Sequence, residues 1–182
     1  MSLFQEKRLS ALVTGGSRGI GRAVSVTLAR VCASTVVVNY LENHQAAEES
    51  RSLIEKAGAR PVLIPANLMY PAEIQSMFHQ LQSELERVDI FVHCAAIGSF
   101  KPTLETKANQ WDLSMNVNAR SFLLCVQRVV PLMPEGSIVS ISSLGSQRAI
   151  PNYSAIGVSK AALEALIRYL AAELAPKGIR VN

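Results

Sequence analysis

Aromatic side chains are scarce in this chain, at 5% of 182 residues, and nowhere do five or more lysines and arginines run together. A nucleic-acid surface needs clustered basic charge, often interleaved with stacking aromatics. The evenly spread net charge of +4 therefore argues against that class. Cysteine is equally sparse. Cys32, Cys94 and Cys125 are odd in number, widely spaced and without a CxxC pair, so they read as reduced core thiols and predict neither a disulfide frame nor a metal site. No apolar run is long enough to span a bilayer, and residues 1–8 lack the apolar stretch of a secretory leader. These absences predict a soluble, cytoplasmic protein with no nucleic-acid or membrane partner. Internal repeats, low-complexity stretches and linkers are missing too, which leaves a single domain over residues 1–182.

What is present is core material: 49% of the residues are hydrophobic and 18% charged, enough to bury a substantial interior. Short, continuously apolar runs predict strands over 9–14, 35–39, 60–66, 90–94 and 137–142. Helical periodicity predicts helices over 20–31, 45–57, 72–85, 111–130 and 154–175. Strands without polar alternation belong in a parallel sheet covered on both faces. The strict alternation of strand and helix predicts a doubly wound α/β fold of the Rossmann type. Ile179-Arg180-Val181-Asn182 reads as the start of a sixth strand, so the expectation is a sheet truncated inside that strand, without a C-terminal substrate-covering segment.

Thr14-Gly15-Gly16-Ser17-Arg18-Gly19-Ile20-Gly21 closes the first strand and opens the first helix. Glycines there permit a tight turn and let backbone approach a pyrophosphate, while the helix N-terminus offers free N–H groups and partial positive charge. Gly15, Ser17, Arg18, Gly19, Ile20 and Gly21 are accordingly candidate dinucleotide contacts. Asn39 and Tyr40 end the second strand, and no acidic residue stands at its tip to hold a ribose diol. Arg18 is placed to meet a 2′-phosphate. Both favour NADPH over NADH, with Glu42 a nearby repulsive charge against it. After the third strand Asn67-Leu68 is a further contact, Asn67 either bonding an adenine or capping the next turn. Ala95 and Ala96 follow the fourth strand and keep the backbone beside the cofactor uncrowded.

The richest local pattern is Asn152-Tyr153-Ser154-Ala155-Ile156-Gly157-Val158-Ser159-Lys160, with a tyrosine seven residues before a lysine. A phenol near an ammonium is a plausible proton donor, since the positive charge favours the phenolate. His93 reads as a packed strand-end histidine rather than an acid or base. The recurrence of Ala155, Val158, Ala162, Ala165, Leu166 and Tyr169 at helical spacing reads first as a core stripe.

Taken in order, TGGSRGIG, Met115-Asn116-Val117-Asn118-Ala119, Ile141-Ser142-Ser143 and the lysine-bearing helix resemble the short-chain dehydrogenase/reductase family over nearly the whole chain. Most members place the tyrosine four residues before the lysine, and a serine thirteen before that tyrosine. Here Ile156 stands four before Lys160, and Tyr153-x6-Lys160 is similar to the family's enoyl-thioester reductases. With the glycine loop it looks most like enoyl-ACP reductase III. The resemblance implies catalytic roles for Tyr153, Lys160, Ser143 and Asn118, with Lys160 also on the nicotinamide ribose and Asn118 organising a helix distortion and a proton-relay water. It implies reduction of the 2,3 double bond of an acyl carrier protein or CoA thioester in fatty-acid synthesis. It also implies a homodimer or homotetramer formed through the helices around 111–130 and 154–175. Reduction of a 3-ketoacyl or other carbonyl substrate, and a catalytically silent dinucleotide-binding protein, are the competing readings.

Overall fold

The computed structural model describes residues 9–182; the leader-free reading of residues 1–8 falls outside them. Six strands, β1 (Leu9–Thr14), β2 (Ala33–Tyr40), β3 (Arg60–Pro65), β4 (Ile90–His93), β5 (Gly136–Ser140) and β6 (Ile179–Val181), form one sheet in the order β3-β2-β1-β4-β5-β6. Every pairing is parallel. The chain starts in the middle at β1, winds outward to β3, and then crosses back to place β4 on the other side of β1. Winding direction reverses between β1 and β4, which opens a crevice beyond their carboxyl ends.

Residues alternate between the two faces of each strand, and both faces are buried. On one face Ala11, Val13, Val36, Val38 and Val92 pack under α1 (Gly19–Val31) and α2 (His44–Lys56), against Val26, Ala29 and Ile54. On the other, Leu12, Val37, Phe91 and Ile138 meet α3 (Pro71–Glu84), α5 (Ser121–Val129) and α6 (Ser154–Leu174) through Phe78, Phe122 and Leu163. Each large apolar side chain fully buried this way contributes roughly 1.5–3 kcal/mol, so the two layers hold the sheet rigid beneath the crevice.

Three sequence expectations are corrected. The helix expected over 111–130 is two helices, α4 (Ala108–Met115) and α5, joined by a π-type turn over Asn116–Arg120. Pattern reading misses that turn because no glycine or proline within 111–130 marks a break. The start moves earlier because the Gln110 side chain accepts the Lys107 N–H at 3.1 Å, closing the first turn. The strand expected over 137–142 ends at Ser140, because the carbonyl of Ile141 turns to accept a bond from Lys160. Lastly, the expected core stripe of α6 holds only in part: Ala155 is buried and Leu166 packs on the core, whereas Val158 and Tyr169 are exposed, and Ile156, Leu163, Leu170 and Leu174 also face the interior.

Candidate active site

The glycine turn between β1 and α1 is built for close approach. Gly15 has φ +62°, and a Cβ there would lie 2.9 Å from the Ala95 nitrogen. A Cβ on Gly21 would overlap the Gly15 carbonyl. Gly19, at φ +54°, has nothing within 4 Å of where its Cβ would sit, so the backbone there is bare toward the crevice. Arg18 occupies the N-cap of α1 without capping it by its side chain, and the first turn carries no acidic residue. Free N–H groups, a positive helix end and an exposed arginine fit a pyrophosphate-containing dinucleotide. Ser17 is buried, and its carbonyl accepts from Arg22 Nε and Ser50 Oγ at 3.0 and 2.9 Å. Ile20 is largely exposed beside the turn.

Other cofactor candidates sit differently. The side chain of Asn39 is buried and donates to the carbonyl of Ala66 at 3.1 Å, while its own backbone carbonyl accepts from Gly16 N–H at 3.0 Å. It splices the glycine turn to β3. Tyr40 is also buried, with its hydroxyl 2.9 Å from His44 Nδ1. The side chains of both are thus turned into the protein and support the tip of β2. Asn67 Oδ1 accepts from Met69 N–H at 3.0 Å, the turn-capping arrangement, and the side chain of Leu68 lies in the core. Ala96 is exposed past β4, and the N–H of Ala95 approaches Thr14 Oγ1 at 3.5 Å.

Four elements meet at the candidate catalytic group. Tyr153 stands at the N-cap of α6, and its hydroxyl lies 3.1 Å from Ser143 Oγ. Ser143 begins the turn Leu144–Ser146 after β5, and its Oγ already accepts the Gly145 N–H at 3.2 Å. Either hydroxyl can donate in that contact; with the serine as donor, the phenol proton is left free to point outward. The Tyr153 ring has a prepared seat. A Cβ on Gly145 would come within 2.5 Å of it, and the Phe100 ring packs against it with centroids 5.6 Å apart. Ile156 is buried against Gly98, whose own Cβ would overlap the isoleucine.

Lys160 Nζ donates to the Ile141 carbonyl at 2.6 Å. Burial pulls its ammonium down to about 8, partly opposed by Cys94. A buried cation held only by a backbone carbonyl is suited to a second, oxygen-rich partner such as ribose hydroxyls. Asn118 lies in the π-type turn and is fully buried. Its Oδ1 accepts from Ile97 N–H, and its Nδ2 donates to the Ile97 carbonyl, both at 2.8 Å, and to Ser159 Oγ at 2.9 Å. Its amide pins the loop after β4 to α6.

A family profile described as Enoyl-(Acyl carrier protein) reductase matches residues 15–182. The chain belongs to the short-chain dehydrogenase/reductase family. A 1-cyclohexenylcarbonyl-CoA reductase of Streptomyces collinus is 40% identical over 178 residues, covering 97% of this chain and 63% of that protein; the chain thus spans less than two thirds of its length. A dehydrogenase/reductase of Sinorhizobium meliloti superposes with a TM-score of 0.93 at 34% identity, over 100% of this chain and 72% of that one. A short chain dehydrogenase of Burkholderia cenocepacia, solved in complex with NADP, gives 0.91 at 32% identity, covering 96% and 71%. That neighbour's NADP is the class of ligand that the glycine turn of this chain fits.

Pattern reading misses Phe100 and gives Gly145 and Gly157 no part in the seat of Tyr153. A signal existed for Gly157: a glycine one turn into a helix costs roughly 1 kcal/mol against alanine, which points to a close approach. Here that approach is real, since a Cβ on Gly157 would lie 2.5 Å from the Gly145 carbonyl.

His93 is fully buried at the end of β4 in this dehydrogenase/reductase site, as expected of a packed histidine. Thr14 Oγ1 lies 2.8 Å from its Nδ1, and Ser121 Oγ lies 3.4 Å from its Nε2. Ser121 gives its own proton to the Val117 carbonyl, which assigns the ring proton to Nε2. Burial, then the Lys160 charge, pull the ring down to about 3. Its folded value lies below the unfolded one, so its contribution to stability is complete above about 6.5 and is lost as the pH falls toward 3. Between pH 7 and 5 that loss approaches about 2 kcal/mol. Denaturant titrations at the two pH values should show this loss in the protein, and a clearly smaller one in His93→Gln; equal losses in both would contradict the assignment.

Proposed function

We propose that this protein reduces the 2,3 double bond of trans-2-enoyl thioesters, carried on acyl carrier protein or CoA, with NADPH. The observation that carries the reading is the seat of Tyr153: a phenol three residues before the family's usual position, bonded to Ser143, while Ile156 fills that position with an aliphatic side chain. In a ketone, hydride and proton go to adjacent atoms. In an enoyl thioester, hydride reaches C3 while negative charge develops on the oxygen of C1, two carbons further on. Three residues correspond to about 4.5 Å of helical rise, a displacement in the sense the longer conjugated system requires.

A bound dihydronicotinamide supplies the hydride. Lys160 holds the ribose, and the glycine turn holds the pyrophosphate. The C2=C3 pair shifts to form the C1–C2 double bond of an enolate, whose oxygen accepts a hydrogen bond from the Tyr153 hydroxyl as in an oxyanion hole. Ser143 donates to the phenol oxygen and orients it. Collapse of the enolate with a proton delivered to C2 completes the saturated thioester. The 40% identity to a reductase named for a cyclohexenylcarbonyl-CoA, itself a conjugated thioester, supports the same chemistry. Exposed Val158 and Tyr169 on α6 offer a surface for a second copy in a homodimer or homotetramer.

Carbonyl reduction is the second reading, favoured by the Ser143–Tyr153 pairing alone. The two separate in one assay. NADPH oxidation should be much faster with a trans-2-enoyl thioester than with the matching 3-ketoacyl thioester. Tyr153→Phe should lower kcat on the enoyl substrate roughly 100-fold, as loss of an oxyanion donor does, with NADPH affinity nearly unchanged. Faster turnover of the ketoacyl substrate, or full enoyl activity in the phenylalanine variant, would contradict the proposal.

The cofactor preference rests on Arg18, exposed at the α1 N-terminus, and on the buried, non-acidic tip of β2. Arg18→Ala should weaken NADPH binding by about tenfold or more, the size of a lost charge-assisted bond, and leave NADH binding nearly as it was. Equal weakening of both, measured by titration calorimetry, would remove the 2′-phosphate from the argument.

A further inference from the structure

The turn after β5 is held to α6 at two separated points. At the first, Gly157 lies so close to the Gly145 carbonyl that a Cβ on Gly157 would come within 2.5 Å of it. At the second, the Glu164 carboxylate accepts hydrogen bonds at one oxygen from Ser142 Oγ at 2.5 Å and from Ser146 Oγ at 2.6 Å. Gly157 and Glu164 are seven residues apart and therefore share a face of the helix, about 10 Å along its axis. The two serines flank Ser143 on both sides in the chain. The backbone N–H of Ser146 donates to the Ser143 carbonyl at 3.0 Å, so the turn is braced internally as well. Hydrogen bonds from both serines hold the Glu164 carboxyl below its ordinary value, partly opposed by desolvation, with lesser help from the Gln147 side chain and from Arg168 one helical turn further on. The carboxylate stays an acceptor across the neutral range.

We propose that Glu164 is a positioning residue. By clamping Ser142 and Ser146 it fixes the turn that carries Ser143, and so keeps the serine hydroxyl directed at the phenol oxygen of Tyr153. The Lys160–Ile141 bond anchors the end of β5, and the Glu164 clamp anchors the turn itself on both sides of Ser143. Glu164 touches neither Tyr153 nor the crevice, so it acts only through Ser143. The kinetic part of this inference rests on the enoyl-thioester reading, whereas the geometric part does not.

The test therefore has a substrate-free arm. The protein, labelled with 13Cζ-tyrosine, contains four tyrosines, and Tyr153→Phe identifies the relevant resonance. Ser143→Ala should move the Tyr153 resonance by removing the hydrogen bond to its oxygen. Glu164→Ala should move it in the same direction, and adding Ser143→Ala to Glu164→Ala should change it little further. Glu164→Gln, whose amide oxygen still accepts from both serines, should restore the original position. The Ser142→Ala/Ser146→Ala pair removes the same bonds from the other side and should reproduce Glu164→Ala if that variant folds poorly. In the kinetic arm, Glu164→Ala should lower kcat about tenfold, as a small misplacement of a reacting group does, with KM and dinucleotide affinity held within about twofold. A Tyr153 resonance that moves with Ser143→Ala but stays put in Glu164→Ala and in the double serine variant overturns the inference. If the resonances couple as described while enoyl thioesters are not reduced, the clamp stands and only the reaction assigned above falls.

Discussion

Tyr153 has no helix of its own to stand on; it sits at the boundary of α6, and its ring is held by what lies on either side. One side is the backbone of Gly145, which no residue with a Cβ could replace without driving into the ring. The other is Phe100, from the loop after β4. That sandwich, closed by the bond to Ser143, is the constraint on which the candidate chemistry rests. It fixes the phenol earlier along the chain than the family usually does and lets Ile156 turn into the core instead. It also explains why two glycines, Gly145 and Gly157, face each other across the turn and the helix: the turn must come within van der Waals reach of α6 for the seat to exist.

Around this seat the fold makes its polar groups serve one another. Asn118 ties the loop that carries Gly98 and Phe100 to Ser159 on α6, and Lys160, one residue later, is tied to the end of β5. Both depend on irregularities, a π-type turn in one case and a strand that stops early in the other. A regular helix or a longer ladder would have engaged these groups in ordinary backbone pairing. The cost is carried by the sheet beneath, whose two apolar layers hold β1, β4 and β5 in register. In this picture rigidity in the core is what permits the irregular turns at the strand ends.

Much of this was legible in the amino-acid sequence, and unevenly so. Continuous apolar strands alternating with amphipathic helices predict the parallel sheet, and the glycine turn announces its own geometry because only glycine tolerates it. Ser143 and Tyr153 were nameable, though their 3.1 Å contact was not, since it depends on how the turn after β5 closes. The rest was hidden for physical reasons. No glycine or proline marks the π-type turn, so 111–130 reads as one helix. Of the stripe Ala155, Val158, Ala162, Ala165, Leu166 and Tyr169, Ala155 and Leu166 reach the core but Val158 and Tyr169 do not, because Ile156, Leu163 and Leu170 also face inward. Small residues match many faces, and the larger branched ones decide which face is buried. Asn39 and Tyr40 were read as cofactor contacts from their place at a strand tip, whereas their side chains are taken up by β3 and His44.

The central claim is that hydride enters at C3 of a conjugated thioester while Tyr153 serves the distant oxygen. Its most direct test follows the label rather than the rate. The protein would be incubated with a trans-2-enoyl thioester and NADPH deuterated at the transferable position of C4, and the product read by NMR. The account predicts a saturated thioester with deuterium at C3 and a solvent proton at C2. An untouched enoyl thioester, with the same deuterium delivered instead to the carbonyl carbon of a 3-ketoacyl thioester to give the 3-hydroxy product, would contradict it.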